Sequence, residues 1–164
     1  YAKNPKMLKP LIVGGNQEGS LRAGTENIPY IAAMGLASEL ATKSLKKNIS
    51  HLKSLETLFK RKLRDQFKNL TFNGSQSQKL PGVISVSFPG FSSDILIIKL
   101  DREKIYVSNG SACGSGIVKP SHVLKAIGLD ESINLSTLRF SFGISNNFEE
   151  IETLIHILKN KILK

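Results

Sequence analysis

Apolar residues at Leu52, Leu55, Phe59, Leu63 and Phe67 recur at three- and four-residue intervals. That spacing predicts a helix that buries one stripe and turns its lysines outward. The helix begins upstream, where Asn27 is placed to cap it, Pro29 suits its first turn, and Ile31, Met34 and Leu40 start the periodicity. Asn48-Ile49-Ser50 marks where it could break, and Asn73-Gly74 closes the region as a turn. Ahead of it, Leu8 to Gly19 starts apolar and turns glycine-rich, predicting a strand end that leads into a shaped loop. Between Pro81-Gly82 and Pro89-Gly90 the period changes to two. Ile84, Val86 and Phe88 share one face and serines the other, the pattern of a half-buried strand.

Ser92 or Ser93 can then cap a short helix carrying Leu96 toward Leu100, with Asp94 in its first turn, and Ile105-Tyr106-Val107 predicts a brief strand. Pro120 opens a short helix through Val123, Leu124 and Ile127 that stops at Gly128. Thr137 to Phe142 alternates, placing Leu138, Phe140 and Phe142 on a core face and Arg139 opposite them. Asn146 with Glu149 resembles a capping box ahead of a last helix whose stripe is Phe148, Ile151, Ile155, Leu158 and Ile162. Helices alternating with a few strands predict an α/β (α+β) fold, a mixed or antiparallel sheet covered by helices, with no internal repeat.

A chain of 164 residues, 40% hydrophobic, can bury one core and carry a short piece of a neighbouring domain. The formal charge of +10 raises a nucleic-acid reading, but much of the excess lies between Lys43 and Lys68 on the predicted helix, where such a pattern is usually a solvated face. No Trp, no aromatic interleaving on the lysine face, since Phe59 and Phe67 belong to the apolar stripe, and no zinc-ligand spacing accompany it, so nucleic-acid binding ranks last. No apolar run approaches the ~20 residues that cross a bilayer, and the start lacks a signal-peptide layout; the expectation is a soluble, cytoplasmic protein without a membrane role. The first residue is Tyr1, so a fragment or processed product is expected.

The run Ser108 to Gly116 holds mostly small residues and predicts an unpacked loop around Cys113, the one cysteine. A thiolate nucleophile needs access and polar surroundings, and Lys119 and His122 are near in sequence; an inert loop cysteine fits the same composition. Arg139, on the non-core face of a strand, could grip a carboxylate with two parallel hydrogen bonds or make an ordinary salt bridge. Arg22 to Asn27 runs into a helix N-terminus where amides, a hydroxyl and an arginine could hold an anion such as phosphate. Gly14, Gly15 and Gly19 match neither the dinucleotide fingerprint nor the P-loop, and His51, His122 and His156 have no metal-ligand spacing, so no metal is expected.

Taken together, Gly14 to Glu18, Leu21 to Asn27, Leu100 to Glu103, Val107 to Cys113, Pro120 to Leu124 and Ser136 to Gly143 resemble the carboxyl-terminal part of cysteine desulfurases of the class V aminotransferase group. The resemblance covers nearly the whole chain in the family's order. It implies the small C-terminal domain of a fold type I pyridoxal-phosphate enzyme. Residues 1–26 would be the tail of the large cofactor-binding domain; 27–164 would be the linking helix and the small domain. In that family pyridoxal 5'-phosphate activates L-cysteine, an enzyme thiolate takes its sulfur, and alanine and an enzyme persulfide result. By resemblance Cys113 is that catalytic thiolate, Arg139 binds the substrate carboxylate, and Thr25 reaches the cofactor phosphate of the other subunit of a homodimer. The persulfide would pass to an iron-sulfur scaffold or another acceptor protein, in the cytoplasm or, in a eukaryote, an organelle matrix.

Gly114 and Ile144 depart from the family's usual Ser or Thr and Arg. The Schiff-base lysine lies upstream of the matching region, so the chain alone is expected to be inactive. A selenocysteine lyase, and a non-catalytic dimerisation or partner-binding module with its basic helix facing an acidic protein, remain open alternatives.

Overall fold

A computed structural model describes residues 3–109 and 120–163. A 3-10 turn at Pro5–Met7 is followed by a short helical segment α1 (Gln17–Ser20) and a 39-residue helix α2 (Ile28–Gln66). Strands β1 (Thr71–Phe72) and β2 (Val83–Ser87) come next, then helices α3 (Ser93–Arg102), α4 (His122–Ala126) and α5 (Glu131–Asn134). Strand β3 (Thr137–Ser141) and helix α6 (Phe148–Ile157), which runs on into a π turn at Leu158–Ile162, complete the chain. Two compact units, Tyr1–Leu45 and Lys46–Lys164, divide it within α2.

In the second unit the three strands form one antiparallel sheet, order β1-β2-β3, as the α/β (α+β) reading expected. Ile84 pairs with Phe140 and Val86 with Leu138, so the period-two pattern sends all four to one face. There they join Leu55, Phe59 and Leu63 of α2, Leu96 and Leu100 of α3, and Ile151 and Leu158 at the C-terminal helix in one buried cluster. Phe59 is its pivot, with ring centroids 4.8 Å from Phe140 and 5.3 Å from Phe142. In the first unit the continuing stripe of α2, Ile31, Met34 and Leu40, stays exposed.

Four local expectations are corrected. Among the described residues, no strand forms between Leu8 and Gly19. Helix α2 does not break at Asn48–Ser50, because Leu55, Phe59 and Leu63 on the following turns bury its stripe in the core, and that packing outweighs local propensity. Ile105–Val107 is not a strand. Lys104 has φ +60° and the Ile105 N–H still donates to Leu100 O on the end of α3, so the chain reaches the edge of β3 only at Ser108. The capping box lies one residue later than expected, at Asn147 and Glu150, since Asn146 is used to accept the Gly143 N–H at 2.7 Å in the preceding turn. Phe148 accordingly opens α6 half exposed rather than joining its stripe.

A buried charge fastens the 74–82 loop to α2. The Glu56 carboxylate accepts from Lys60 Nζ at 2.5 Å, Lys79 Nζ at 2.7 Å and the Gly82 N–H at 3.1 Å. Gly82 turns there with φ +81°, and a Cβ would stand 3.1 Å from both the Leu52 side chain and Phe142 O, so only glycine fits. Burial alone would raise the Glu56 carboxyl, but the hydrogen bonds from Lys60, Lys79 and Gly82 and the Lys79 charge outweigh it and hold it below its ordinary value of 4.5.

A carboxyl depressed on folding stabilises the protein fully above its unfolded value, and that stabilisation is lost as pH falls through the folded value. Urea midpoints should therefore drop below pH 4.5 more steeply for the natural chain than for Glu56→Gln. At pH 7 Glu56→Ala should cost about 3 kcal/mol, because two ammonium groups and an amide lose their acceptor. Phe59→Ala should cost about 3–5 kcal/mol by the same measurement, through the cavity it leaves beneath the sheet.

Candidate functional site

The side of the sheet away from the core is polar. Ser85 pairs with Arg139 and Ser87 with Thr137 across β2 and β3, so the same register that buries the apolar residues gathers these four on the opposite face. Ser87 and Thr137 are nevertheless buried. Thr137 Oγ1 donates to Ile133 O at 2.7 Å, so Ser87 Oγ must donate to Thr137 at 2.7 Å and accept from Asn73 Nδ2 at 2.9 Å. This directed chain runs from β1's end to α5 and leaves Asn73 Oδ1 buried without a partner among the described residues.

Arg139 itself is exposed at the centre of β3. Its backbone is held on both sides, by the β2 register and by Ser108, whose carbonyl accepts the Arg139 N–H at 2.6 Å and whose N–H donates back at 3.2 Å. Among the described residues its guanidinium has no ion pair and no side-chain hydrogen bond. A guanidinium with no partner among the described residues, on a strand whose backbone is fixed along both edges, is free to take a carboxylate through two parallel N–H···O bonds.

Ser108 and Asn109 are the last described residues before the stretch that contains Cys113, which lies outside the described residues, as do Gly114 and Lys119. Both ends of that stretch are fastened by asparagine. Asn109 Nδ2 donates to Asp94 Oδ1, and to Ser93 Oγ at 3.4 Å, in the first turn of α3. On the far side Asn134 clasps Ser121 twice, accepting its N–H at 2.8 Å and donating to its carbonyl at 2.9 Å, while the Ser121 hydroxyl caps α4. The sequence offered no signal for the Asn134 clasp, because its partner is thirteen residues away; Asp94 was visible only as a first-turn acid.

In the first unit the glycine-rich segment is folded by its own groups. The Ala23 N–H donates to Ile12 O at 3.1 Å, and the Gly24 N–H to Gln17 Oε1 at 3.3 Å. Arg22 Nη1 turns inward onto the Gly24 carbonyl at 2.8 Å and, more weakly, those of Ala23 and Thr25. Thr25 is exposed, its hydroxyl has no hydrogen bond among the described residues, and it stands three residues ahead of α2, where Asn27 Oδ1 accepts from Tyr30 N at 3.4 Å. A free hydroxyl beside a helix N-terminus fits a phosphate oxygen. No group of three or more metal-binding side chains occurs among the described residues, and no helix there is long and apolar enough to cross a membrane.

The family model for aminotransferase class-V matches residues 9–154. The chain belongs to the class-V aminotransferase family. It is 36% identical over 164 residues to the cysteine desulfurase IscS of Dictyoglomus turgidum, with all of this chain and 42% of the relative covered. It is 35% identical over 165 residues to the cysteine desulfurase IscS of Methanosarcina thermophila, covering 40% of that relative. Among solved structures it is similar to a NifS-like protein from Rickettsia africae, with a TM-score of 0.75 and 32% identity over 90% of this chain and 38% of that one. The chain thus spans about two fifths of the length of the curated relatives it matches. These findings bear out the resemblance to cysteine desulfurases of the class V group and the fold it implied. The relatives imply pyridoxal phosphate for the class in general, and the exposed Thr25 hydroxyl has the chemistry to meet a phosphate oxygen.

The Asn134 clasp is directly testable. Asn134→Ala should leave the buried Ser121 N–H and carbonyl unsatisfied and cost about 2 kcal/mol. Hydrogen exchange of the Ser121 amide in the native state should accelerate by about 30-fold.

Proposed function

We propose that this chain supplies the sulfur-accepting and carboxylate-binding portion of a pyridoxal-phosphate-dependent cysteine desulfurase. The observation that supports the reading best is the pairing of Ser108 with Arg139. It joins the residue that matches the substrate-carboxylate arginine to Ser108, five residues ahead of Cys113 in the sequence, and one pair of backbone hydrogen bonds holds Ser108 and Arg139 together.

In this reading Arg139 holds the carboxylate of L-cysteine and thereby orients its sulfur. Pyridoxal 5'-phosphate, when bound, supplies the electron sink that loosens the bonds around the amino acid's α-carbon. The Cys113 thiolate forms a bond to the substrate sulfur as that sulfur's bond to carbon breaks; the electron pair stays with the carbon, which takes up a proton in place of the one the thiol releases, so alanine leaves and Cys113 carries a persulfide. An acceptor thiolate, on an iron-sulfur scaffold or another sulfur-receiving protein, then takes the outer sulfur and returns Cys113 to its thiolate form. Thr25 contacts the cofactor phosphate held by the other subunit of a homodimer. Residues 1–26 are the end of the large cofactor-binding domain, residues 27–164 the linking helix and small domain, and the site of action is the cytoplasm or an organelle matrix.

The test uses the longer protein that carries this chain. Cys113→Ser should keep the cofactor's visible absorbance yet reduce sulfur transfer to an acceptor at least 100-fold; transfer at the natural rate would refute the assignment. Arg139→Ala should raise the KM for cysteine by about 10–100-fold, the loss of a charge-assisted bidentate contact. The 164-residue chain alone, given pyridoxal phosphate and cysteine, should release no sulfide.

A further inference from the structure

The second unit carries a cationic groove with no part in the chemistry above. It is about 550 Å³ in volume and lies between one face of α2 and the 76–81 loop, lined by Lys53, Lys60, Arg61, Arg64 and Lys79 with a single carboxylate, Glu56. That carboxylate is already shared by two lysines, so the floor retains an excess positive charge. Those two lysines are also fixed in place: Lys60 Nζ donates to Gln76 Oε1 at 2.7 Å and Lys79 Nζ to Val83 O at 2.7 Å. Lys53, Arg61 and Arg64 stand exposed along the rim and have no carboxylate partner among the described residues.

A line of helix lysines in open solvent is ordinarily just a hydrated face, but three features distinguish this one. It is concave, with a loop as its second wall. Its floor cations are immobilised before any ligand arrives, which lowers the ordering cost of binding. Its rim cations lie on one helix, the first and last eleven positions apart, about 16 Å at 1.5 Å per residue, the length of about five residues of extended polypeptide.

The chemistry favours carboxylates over bases. No aromatic side chain lines the groove itself, and the Phe72 ring beside it is covered by Arg64 at 4.9 Å and Lys60 at 5.8 Å, so neither offers a stacking platform to a nucleobase; the half-exposed Phe148 lines a separate hollow with Lys53 and Arg61.

We propose that this groove docks an acidic stretch of another polypeptide, its carboxylates engaging Lys53, Arg61 and Arg64 above the fixed pair Lys60 and Lys79. The inference stands independently of the catalytic reading, since none of these residues belongs to the desulfurase site.

Fluorescence anisotropy of the 164-residue chain with a labelled hexaglutamate peptide tests it, beside a labelled hexathymidylate of comparable charge. The peptide should bind more tightly than the oligonucleotide. The triple variant Lys53→Glu, Arg61→Glu, Arg64→Glu should weaken peptide binding at least tenfold. A variant of equal charge change elsewhere, Lys46→Glu, Lys47→Glu, Lys125→Glu, should weaken it less than threefold. Neutral replacements by Gln at 53, 61 and 64 give the same comparison should the acidic triple fail to fold, as judged by circular dichroism. Absent peptide binding, equal losses in the two variants, or tighter binding of the oligonucleotide would each overturn the proposal.

Discussion

The pairing register of β2 with β3 is the constraint from which the rest of the second unit follows. Because side chains alternate with a period of two, setting Val86 opposite Leu138 and Ile84 opposite Phe140 simultaneously sets Ser85 opposite Arg139. A slip of one residue would place Arg139 against Phe59 and expose Phe140, exchanging core and site in one step. The buried cluster of α2, α3 and the C-terminal helix therefore fixes more than stability; it decides which way the arginine faces.

The edges of the site are held by polar contacts that the apolar core cannot supply. Asn109 on Asp94 and Asn134 on Ser121 fasten the chain on either side of the stretch with Cys113, and the Ser108–Arg139 bridge ties one of those ends to the strand. Buried backbone groups must find partners or pay a desolvation cost, and asparagine, with a donor and an acceptor in one plane, can satisfy an N–H and a carbonyl of a non-helical segment together. The Glu56 cluster uses the same logic with charge, collecting two lysines and one amide to fasten a loop that has no strand of its own.

Much of the fold was legible in the residues. The strands at Val83 and Thr137, the long helix after Asn27 and the last helix stripe all came from periodicity, since burial on one face leaves its mark locally. Errors fell where local pattern met a distant partner. Ile105–Val107 has the composition of a strand but is held by the end of α3, and the cap of α6 moved because Asn146 closes the turn before it.

For the candidate site the division is similar. The amino-acid sequence by itself determined the family, the single cysteine in a run of small residues, and the position of an arginine on the polar side of a strand, because motif order and alternation are written in consecutive residues. Only the tertiary structure decided that Arg139 is clasped by Ser108, that Asn134 reaches back thirteen residues to Ser121, and that Glu56 gathers Lys60 and Lys79 beside a cationic groove. Apart from Glu56 with Lys60, one helical turn away, those contacts join residues far apart along the chain. Nothing in the local pattern specifies them, since the partners are neighbours only in the assembled fold.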